Sequence, residues 1–299
     1  MITPNGLFNI NKPAGMTSHD VVNAVRRLAG LRRVGHAGTL DPLATGVLLV
    51  MAGPSTRLAQ FITGHDKSYQ AVVRLGAVTT TYDAEGEIVE SYPVPEGLSR
   101  TDLEAALVSF IGPQQQLPPR YSAIKVAGQP LYKLARRGEE IELTPRAVTI
   151  TKITLLEWAS PDLTIAVDCS AGTYIRSLAY DLGQALGCGA HLQALTRTRS
   201  GPFTLESSYP LDTLKELAAA GTLNQALLPP EAALHNLPPV LLNEEQEQAV
   251  SFGRTLYLPE APATASHLQA RNAAGRTIAV LVPDKEPGTW HPDLVLAES

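Results

Sequence analysis

The stretch Gly35-His36-Ala37-Gly38-Thr39-Leu40-Asp41-Pro42-Leu43-Ala44-Thr45-Gly46 constrains this 299-residue chain more than any other. Its glycines and proline give a backbone that bends tightly and can come close to a ligand. The apolar run Val47-Leu48-Leu49-Val50-Met51-Ala52 directly behind it reads as a buried strand that anchors the loop. Asp41 is the one carboxylate inside the loop. Asp before Pro is also ordinary turn chemistry. The loop alone therefore leaves two readings open, a turn between two elements or a ligand-facing loop with a functional acid.

The flanking segments supply elements for it to pack on. Gly6 to Asn11 alternates as a strand, and Lys12-Pro13-Ala14-Gly15-Met16-Thr17-Ser18 turns into a helix with Ser18 as the expected cap, Val21, Val22, Val25 and Leu28 as its apolar stripe, and Gly30 as its end. Lys12 thus lies at a strand-to-turn junction, where a lysine is ordinarily solvated. Pro54 to Ile62 predicts a short helix with proline in its first turn, and Lys67 to Gly76 a strand with Tyr69, Ala71, Val73 and Leu75 on one side. A helix is expected over Ser99 to Ile111, with Thr101 and Glu104 in capping-box spacing and Gly112-Pro113 as the stop. Gln114 to Pro119 then reads as a polar lead-in to a surface excursion, a common carrier of binding function.

Arg146 to Trp158 and Leu163 to Ser170 read as strands, and the second runs through Ala171-Gly172-Thr173 into Tyr174-Ile175-Arg176 and a helical stripe closed by Gly187. If that junction is still extended, Tyr174 and Arg176 project to the same side. Ala194 to Leu205 reads as a strand carrying Leu195, Arg197 and Arg199 on one parity, and Leu211 to Ala220 as a helix. After a linker marked by Pro229, Pro230, Pro238 and Pro239, a short helix over Glu244 to Phe252 and strands such as Thr277 to Val282 predict a small β-rich unit from about Leu237.

Composition excludes several classes. An apolar run of about eight residues from Val47 is far short of the roughly 20 needed to cross a bilayer, and the amino terminus lacks a signal-peptide pattern. A cytoplasmic protein without a membrane role is expected. Cys169 and Cys188 form no CxxC and the seven histidines no HxxxH, so neither metal nor disulfide is expected. There is no P-loop, dinucleotide fingerprint or GxSxG. The net charge of −5 argues against a nucleic-acid partner, yet cations cluster locally. Arg120, Lys125, Lys133, Arg136 and Arg137 are interleaved with Tyr121 and Tyr132; Arg26, Arg27, Arg32 and Arg33 form a second group, and Arg197 with Arg199 a third. Such patches suit a folded RNA bound by one face, and each also fits a solvated surface.

The glycine loop, together with Lys12 to Ser18, Lys67-Ser68-Tyr69, Pro118 to Lys125, Cys169 to Arg176 and Gly189-Ala190-His191-Leu192, resembles the TruB family of tRNA pseudouridine synthases. The motifs run in family order through residues 6 to 205. The tail is similar in style to a PUA domain. The resemblance implies isomerisation of the uridine at position 55 of the tRNA T loop to pseudouridine, without a cofactor, by a monomer acting on the T stem-loop with no obligate protein partner. By position it makes Asp41 the catalytic carboxylate, Arg176 its ion-pair partner, Tyr69 the ring that stacks on uracil, and Tyr174 a group close to the base. It places Leu195 in the pocket wall, gives His36 a part in extruding the nucleotide, and makes Lys12 and Pro13 structural supports. The excursion from Arg120 to Arg137 would close over the RNA.

The expected fold class is α+β: a mixed, largely antiparallel sheet with flanking helices (the pseudouridine synthase fold) over residues 1–236, with the RNA-binding excursion at about 114–147, and a β-rich PUA-like domain over 237–299. Rival readings are an RNA-binding or tRNA-folding protein that keeps the scaffold without catalysis, and a phosphate-binding enzyme using the glycine loop. The second is disfavoured because no Lys-Ser/Thr follows the final glycine.

Overall fold

The computed structural model describes residues 4–121, 125–126, 129–130 and 143–296. Lys133, Arg136 and Arg137 of the expected excursion lie outside these residues, as does the side chain of Lys125.

The apolar run after the glycine loop is the strand that most of the molecule packs against. Strands β1 (Gly6–Lys12), β2 (Val34–Ala37), β3 (Thr45–Ala52) and β4 (Lys67–Leu75) join β7 (Gly112–Gln116), β8 (Arg146–Ala159), β9 (Asp162–Cys169) and β10 (Ala190–Ser200) in one sheet. The order is β1-β3-β10-β4-β9-β8-β7, with β2 also paired to β3. Within this path β3 and β10 are parallel and the other pairs antiparallel. The hairpin β5 (Ala77–Thr79) and β6 (Ile88–Ser91) stands apart from it.

Successive residues of a strand face opposite sides, so an unbroken apolar run needs cover on both. Leu48 and Val50 enter the core built with helices α1 (Ser18–Ala29), α3 (Arg100–Val108) and α4 (Ile175–Ala185). Val47, Leu49 and Met51 enter a second core shared with Leu58 and Ile62, around α2 (Ala59–Thr63), and with Val280, Leu294 and Leu296 of a carboxyl-terminal sheet. That sheet has five strands, in the order Pro239–Leu241, Leu268–Arg271, Thr277–Pro283, Thr289–Val295 and Leu256–Tyr257. The fold class expected from sequence is therefore observed: mixed and largely antiparallel, with flanking helices and a β-rich carboxyl-terminal unit.

Several local expectations change. Thr17, not Ser18, caps α1: its side chain accepts from the Asp20 amide while Asp20 answers the Thr17 amide. Likewise Ser99 and Asp102 form the box at α3, not Thr101 and Glu104. Residues 112–116 continue as an edge strand because β8 offers them a partner, from Arg146↔Gln116 to Ile150↔Gly112. The last long strand begins at Ala190, four residues before the expected start. The stretch 54–62 is a 3-10 turn over Gly53–Leu58 followed by α2.

Candidate active site

The glycine loop is held from below by side chains, each bonded to main-chain groups. Arg197, 2% exposed on β10, donates through Nε to Val47 O at 2.7 Å and through Nη2 to Gly38 O at 2.9 Å. Lys12, fully buried at the end of β1, donates from Nζ to Pro13 O, Met16 O and Pro42 O at 2.9, 2.6 and 3.2 Å. Burial lowers its pKa to about 8. Ser18 Oγ accepts from the Leu40 amide at 2.8 Å and donates to Leu40 O at 3.0 Å. The residue expected to cap α1 is thus a clamp on the loop, on both the N–H and the C=O of Leu40, the residue preceding Asp41. Gly46 closes the loop at φ 97°, where an added Cβ would lie 2.2 Å from Arg197 O. Only glycine allows β3 and β10 to approach in parallel at this point.

Asp41 is delivered to the floor of a cleft opposite the start of α4. Arg176 Nη2 donates to Asp41 Oδ1 at 3.3 Å, and Nε lies 3.0 Å from Oδ2, though off the line of its N–H. The guanidinium is 6% exposed and the carboxylate 35%. Nη1 of the same guanidinium reaches Asp83 Oδ2 at 3.2 Å, and Nη2 also donates to Tyr121 O at 2.8 Å. A cation in the first turn of a helix opposes the helix dipole; two carboxylates offset that cost here. Asp83 escapes a sequence reading. It sits in Thr79-Thr80-Thr81-Tyr82-Asp83-Ala84-Glu85-Gly86, whose hydroxyls, acids and glycine read as a plain hairpin loop. It is 2% exposed, and its Oδ1 accepts from Thr81 Oγ1 at 2.5 Å and from the Glu85 amide at 3.1 Å.

Desolvation in the cleft raises the Asp41 pKa above the usual carboxylate value; Arg176 pulls it back, Asp83 pushes it up, and Lys12 and Arg197 pull it down more weakly. Glu85, which feels both Asp41 and Asp83, is raised as well, again first by burial. Asp41 is thus a partly exposed carboxylate whose charge is held chiefly by Arg176, with weaker help from Lys12 and Arg197.

Over this pair lies a cavity of about 320 Å³ lined by Asp41, Tyr69, Tyr174, Arg176, Leu195 and Arg197, with Lys67 and Thr173 at its edge. It matches the lower end of small-ligand pockets, roughly 300–1,000 Å³. The junction at Tyr174 is extended, with φ −99° and ψ 109°, and its backbone N–H and C=O both bond Gln116 of β7, at 2.8 and 3.0 Å. Tyr174 and Arg176 both line the cavity, but so do Thr173 and Ile175, and α4 already begins at Ile175, so the extended spacing expected from sequence is not what brings them together. Burial lifts the Tyr69 phenol above its usual range, with Arg197 opposing. Lys67 donates to Thr63 O at 2.7 Å and to His65 O, and burial lowers its pKa to about 8.

Other expected site residues lie elsewhere. Pro13 is exposed and joins the site only through its carbonyl on Lys12. His36 stands on β2 opposite Val50, outside the cavity lining; its Nδ1 is buried without a partner among the described residues, and burial with Arg197 nearby lowers its pKa. Arg120 is exposed just before Tyr121. Arg197 is a buried clamp rather than part of a surface patch, whereas Arg199 is half-exposed and donates to Ser68 Oγ at 2.9 Å. A bulge between them breaks the strand parity that grouped them.

A family model described as the N-terminal domain of TruB family pseudouridylate synthases matches residues 26–175, and one described as the tRNA pseudouridylate synthase B C-terminal domain matches residues 176–235. The chain is 45% identical over 279 residues to the tRNA pseudouridine synthase B of Pseudomonas aeruginosa, covering 92% of this chain and 91% of that protein. With the tRNA pseudouridine synthase B of Dehalococcoides mccartyi it shares 44% identity over 293 residues, covering 96% and 95%. Among solved structures it is similar to an H/ACA RNP bound to a substrate RNA containing 2'-deoxyuridine, with a TM-score of 0.74 and 26% identity, over 98% of this chain and 85% of that one. The chain belongs to the TruB family of pseudouridylate synthases.

Proposed function

We propose that the chain isomerises the uridine at position 55 in the T loop of tRNA to pseudouridine, with Asp41 as the catalytic carboxylate. The observation that carries this reading is the Arg176–Asp41 ion pair on the floor of a cavity sized for a nucleoside and walled by Tyr69, Tyr174 and Leu195. The tRNA substrate rests on the relatives, which carry that activity in their names.

The reaction breaks the bond from ribose C1′ to uracil N1, turns the base in place, joins C1′ to C5, and moves the C5 hydrogen to N1 as a proton. No atom is gained or lost. Three roles for Asp41 fit: attack on C1′, addition to the base, or removal of the ribose 2′ proton. Each needs an ionised carboxylate, and Arg176 holds that state against the desolvation that opposes it. A T-loop uridine must leave its stack, which costs a few kcal/mol, and a ring in the pocket offsets about 1–3 kcal/mol of it. Tyr69 takes that role and Leu195 closes the wall behind the detached base. Tyr174 stands beside the base as a hydrogen-bonding group. His36, outside the cavity, would meet the RNA as the nucleotide turns out. Arg120, and the basic segment after it, would contact the tRNA backbone, and the β-rich carboxyl-terminal unit is a PUA-like second contact.

Incubation of the purified chain with an unmodified tRNA transcript, followed by a pseudouridine assay, tests the reading and whether a protein partner is needed. Asp41→Asn should abolish conversion and leave tRNA binding largely intact. Normal yield from that variant would end the assignment.

A further inference from the structure

Among the described residues, Tyr82 is the one non-glycine residue with a positive φ, at 61°. Left-handed backbone brings Cβ against the following carbonyl, so a tyrosine adopts it where its surroundings impose it, and such residues gather at functional sites. Here the surroundings are specific. The Tyr82 ring stacks on Tyr180 of α4, with centroids 4.1 Å apart and planes 17° from parallel. Its N–H donates to Thr79 O at 3.2 Å, and its C=O accepts from the Leu192 amide at 3.0 Å.

The residue after Tyr82 is Asp83, whose carboxylate holds Arg176, and Tyr180 lies four residues beyond Arg176 on the same helix. Positions i and i+4 share a helix face. The hairpin loop and α4 are therefore joined along one line, by Asp83 and Thr81 O to Arg176 and by Tyr82 to Tyr180. The loop is also pinned to β10 by main chain, the Leu192 amide donating to Tyr82 O at 3.0 Å and the Ala84 amide to Leu192 O at 2.9 Å, which leaves the side chains to set the direction of Asp83. It connects β5 and β6, strands of three and four residues, and every residue of β6 is exposed. A two-stranded ribbon of that size does not order itself in water.

We propose that the Tyr82–Tyr180 stack is a clasp that holds Asp83 against Arg176 and so sets how the guanidinium faces Asp41. Tyr82 and Tyr180 are on this account positioning residues. The inference rests on the reading of Asp41 and Arg176 as the catalytic pair. It explains why a bulky residue stands where glycine or asparagine would fit more easily: the strained backbone turns the ring inward onto α4 and the next carboxylate toward Arg176.

The test measures single-turnover conversion of an unmodified tRNA transcript against pH, beside thermal melts. Tyr82→Asn removes the ring while tolerating the left-handed backbone. Tyr180→Leu removes the partner and leaves the hairpin sequence untouched, so it serves if the first variant does not fold. Each should lower the plateau rate by about tenfold, equivalent to ~1.4 kcal/mol. The double variant should fall no further than either single one, because the two rings act as a unit. The acid limb should move to higher pH, because a loosened Arg176 holds the Asp41 charge less well and its pull outweighs the push from Asp83. Tyr82→Phe keeps the stack and should restore both rate and limb. Lowered melting with an unmoved plateau and limb, or additive losses in the double variant, would overturn the clasp. Asp41→Asn assayed in parallel separates the two ideas. If it stays active, the catalytic reading fails; if it is dead while the tyrosine variants behave as wild type, the clasp alone fails.

Discussion

Asp83→Asn is the sharpest perturbation of the site, because it removes one charge and almost no volume. The lost contact is a charge-assisted hydrogen bond from Arg176 Nη1 at 3.2 Å, between side chains 6% and 3% exposed. Bonds of that kind contribute about 1.5–3 kcal/mol. The asparagine keeps an oxygen for Thr81 Oγ1 and the Glu85 amide, so the loop should fold. If the loss falls on the orientation of Arg176, single-turnover conversion should drop by about ten- to a hundredfold. A plateau at the wild-type rate would refute the account of Asp83 as the second anchor of Arg176.

Three further outcomes follow from the same geometry. Arg176→Lys replaces a fork serving Asp41, Asp83 and Tyr121 O by a point charge and should slow conversion by about a hundredfold or more; near-normal turnover would remove the ion pair from the mechanism. Lys12 has a folded pKa of about 8, below the ordinary lysine value of 10.5, so its contribution to stability is lost as pH falls through 8 and present above 10.5. The stability of the wild type relative to Lys12→Met, measured by urea melts, should accordingly grow between those two values, and a constant difference would contradict the burial of its ammonium. Gly46→Ala places a methyl group 2.2 Å from Arg197 O at φ 97° and should destabilise the protein by about 3 kcal/mol or more, lowering the midpoint of thermal unfolding.

Local periodicity and residue type carried a large part of the architecture. The run Val47 to Ala52 could be read as a buried strand because no polar residue interrupts it, and the structure covers both of its faces. Tyr174 and Arg176 do share the cavity, but the strand parity that grouped them does not hold, because α4 begins at Ile175 between them. What escaped the sequence depends on partners distant along the chain. Arg197 bonds Val47 O across 150 positions and Gly38 O across 159, and its side chain resembles any surface arginine until β3 and β10 lie parallel. Asp83 meets Arg176 across 93 positions, and Gln116 meets Tyr174 across 58. The ambiguity at α1 is of another kind. Thr17 and Ser18 are both good caps, and the choice fell to the hydroxyl spaced three before Asp20, leaving the other free to clamp Leu40.

These long-range bonds also bear on how a chain of net charge −5 can receive RNA in its cleft. Lys12, Lys67 and Arg197 are all buried, and among the described residues none makes an ion pair with a carboxylate; their donors go to main-chain carbonyls around the loop and α2. A carbonyl satisfies the hydrogen bond without cancelling the charge. Arg176, by contrast, is matched by Asp41 and Asp83. The cleft therefore keeps uncancelled positive charge beneath and beside Asp41, in a region less screened by water and salt than the surface. Lys67 and Arg197 line the cavity itself, so on the proposed function their field would act on the phosphates flanking the nucleotide. On the proposed function, the same buried cations that fix the glycine loop would draw the RNA to the cleft despite the acidic balance of the chain.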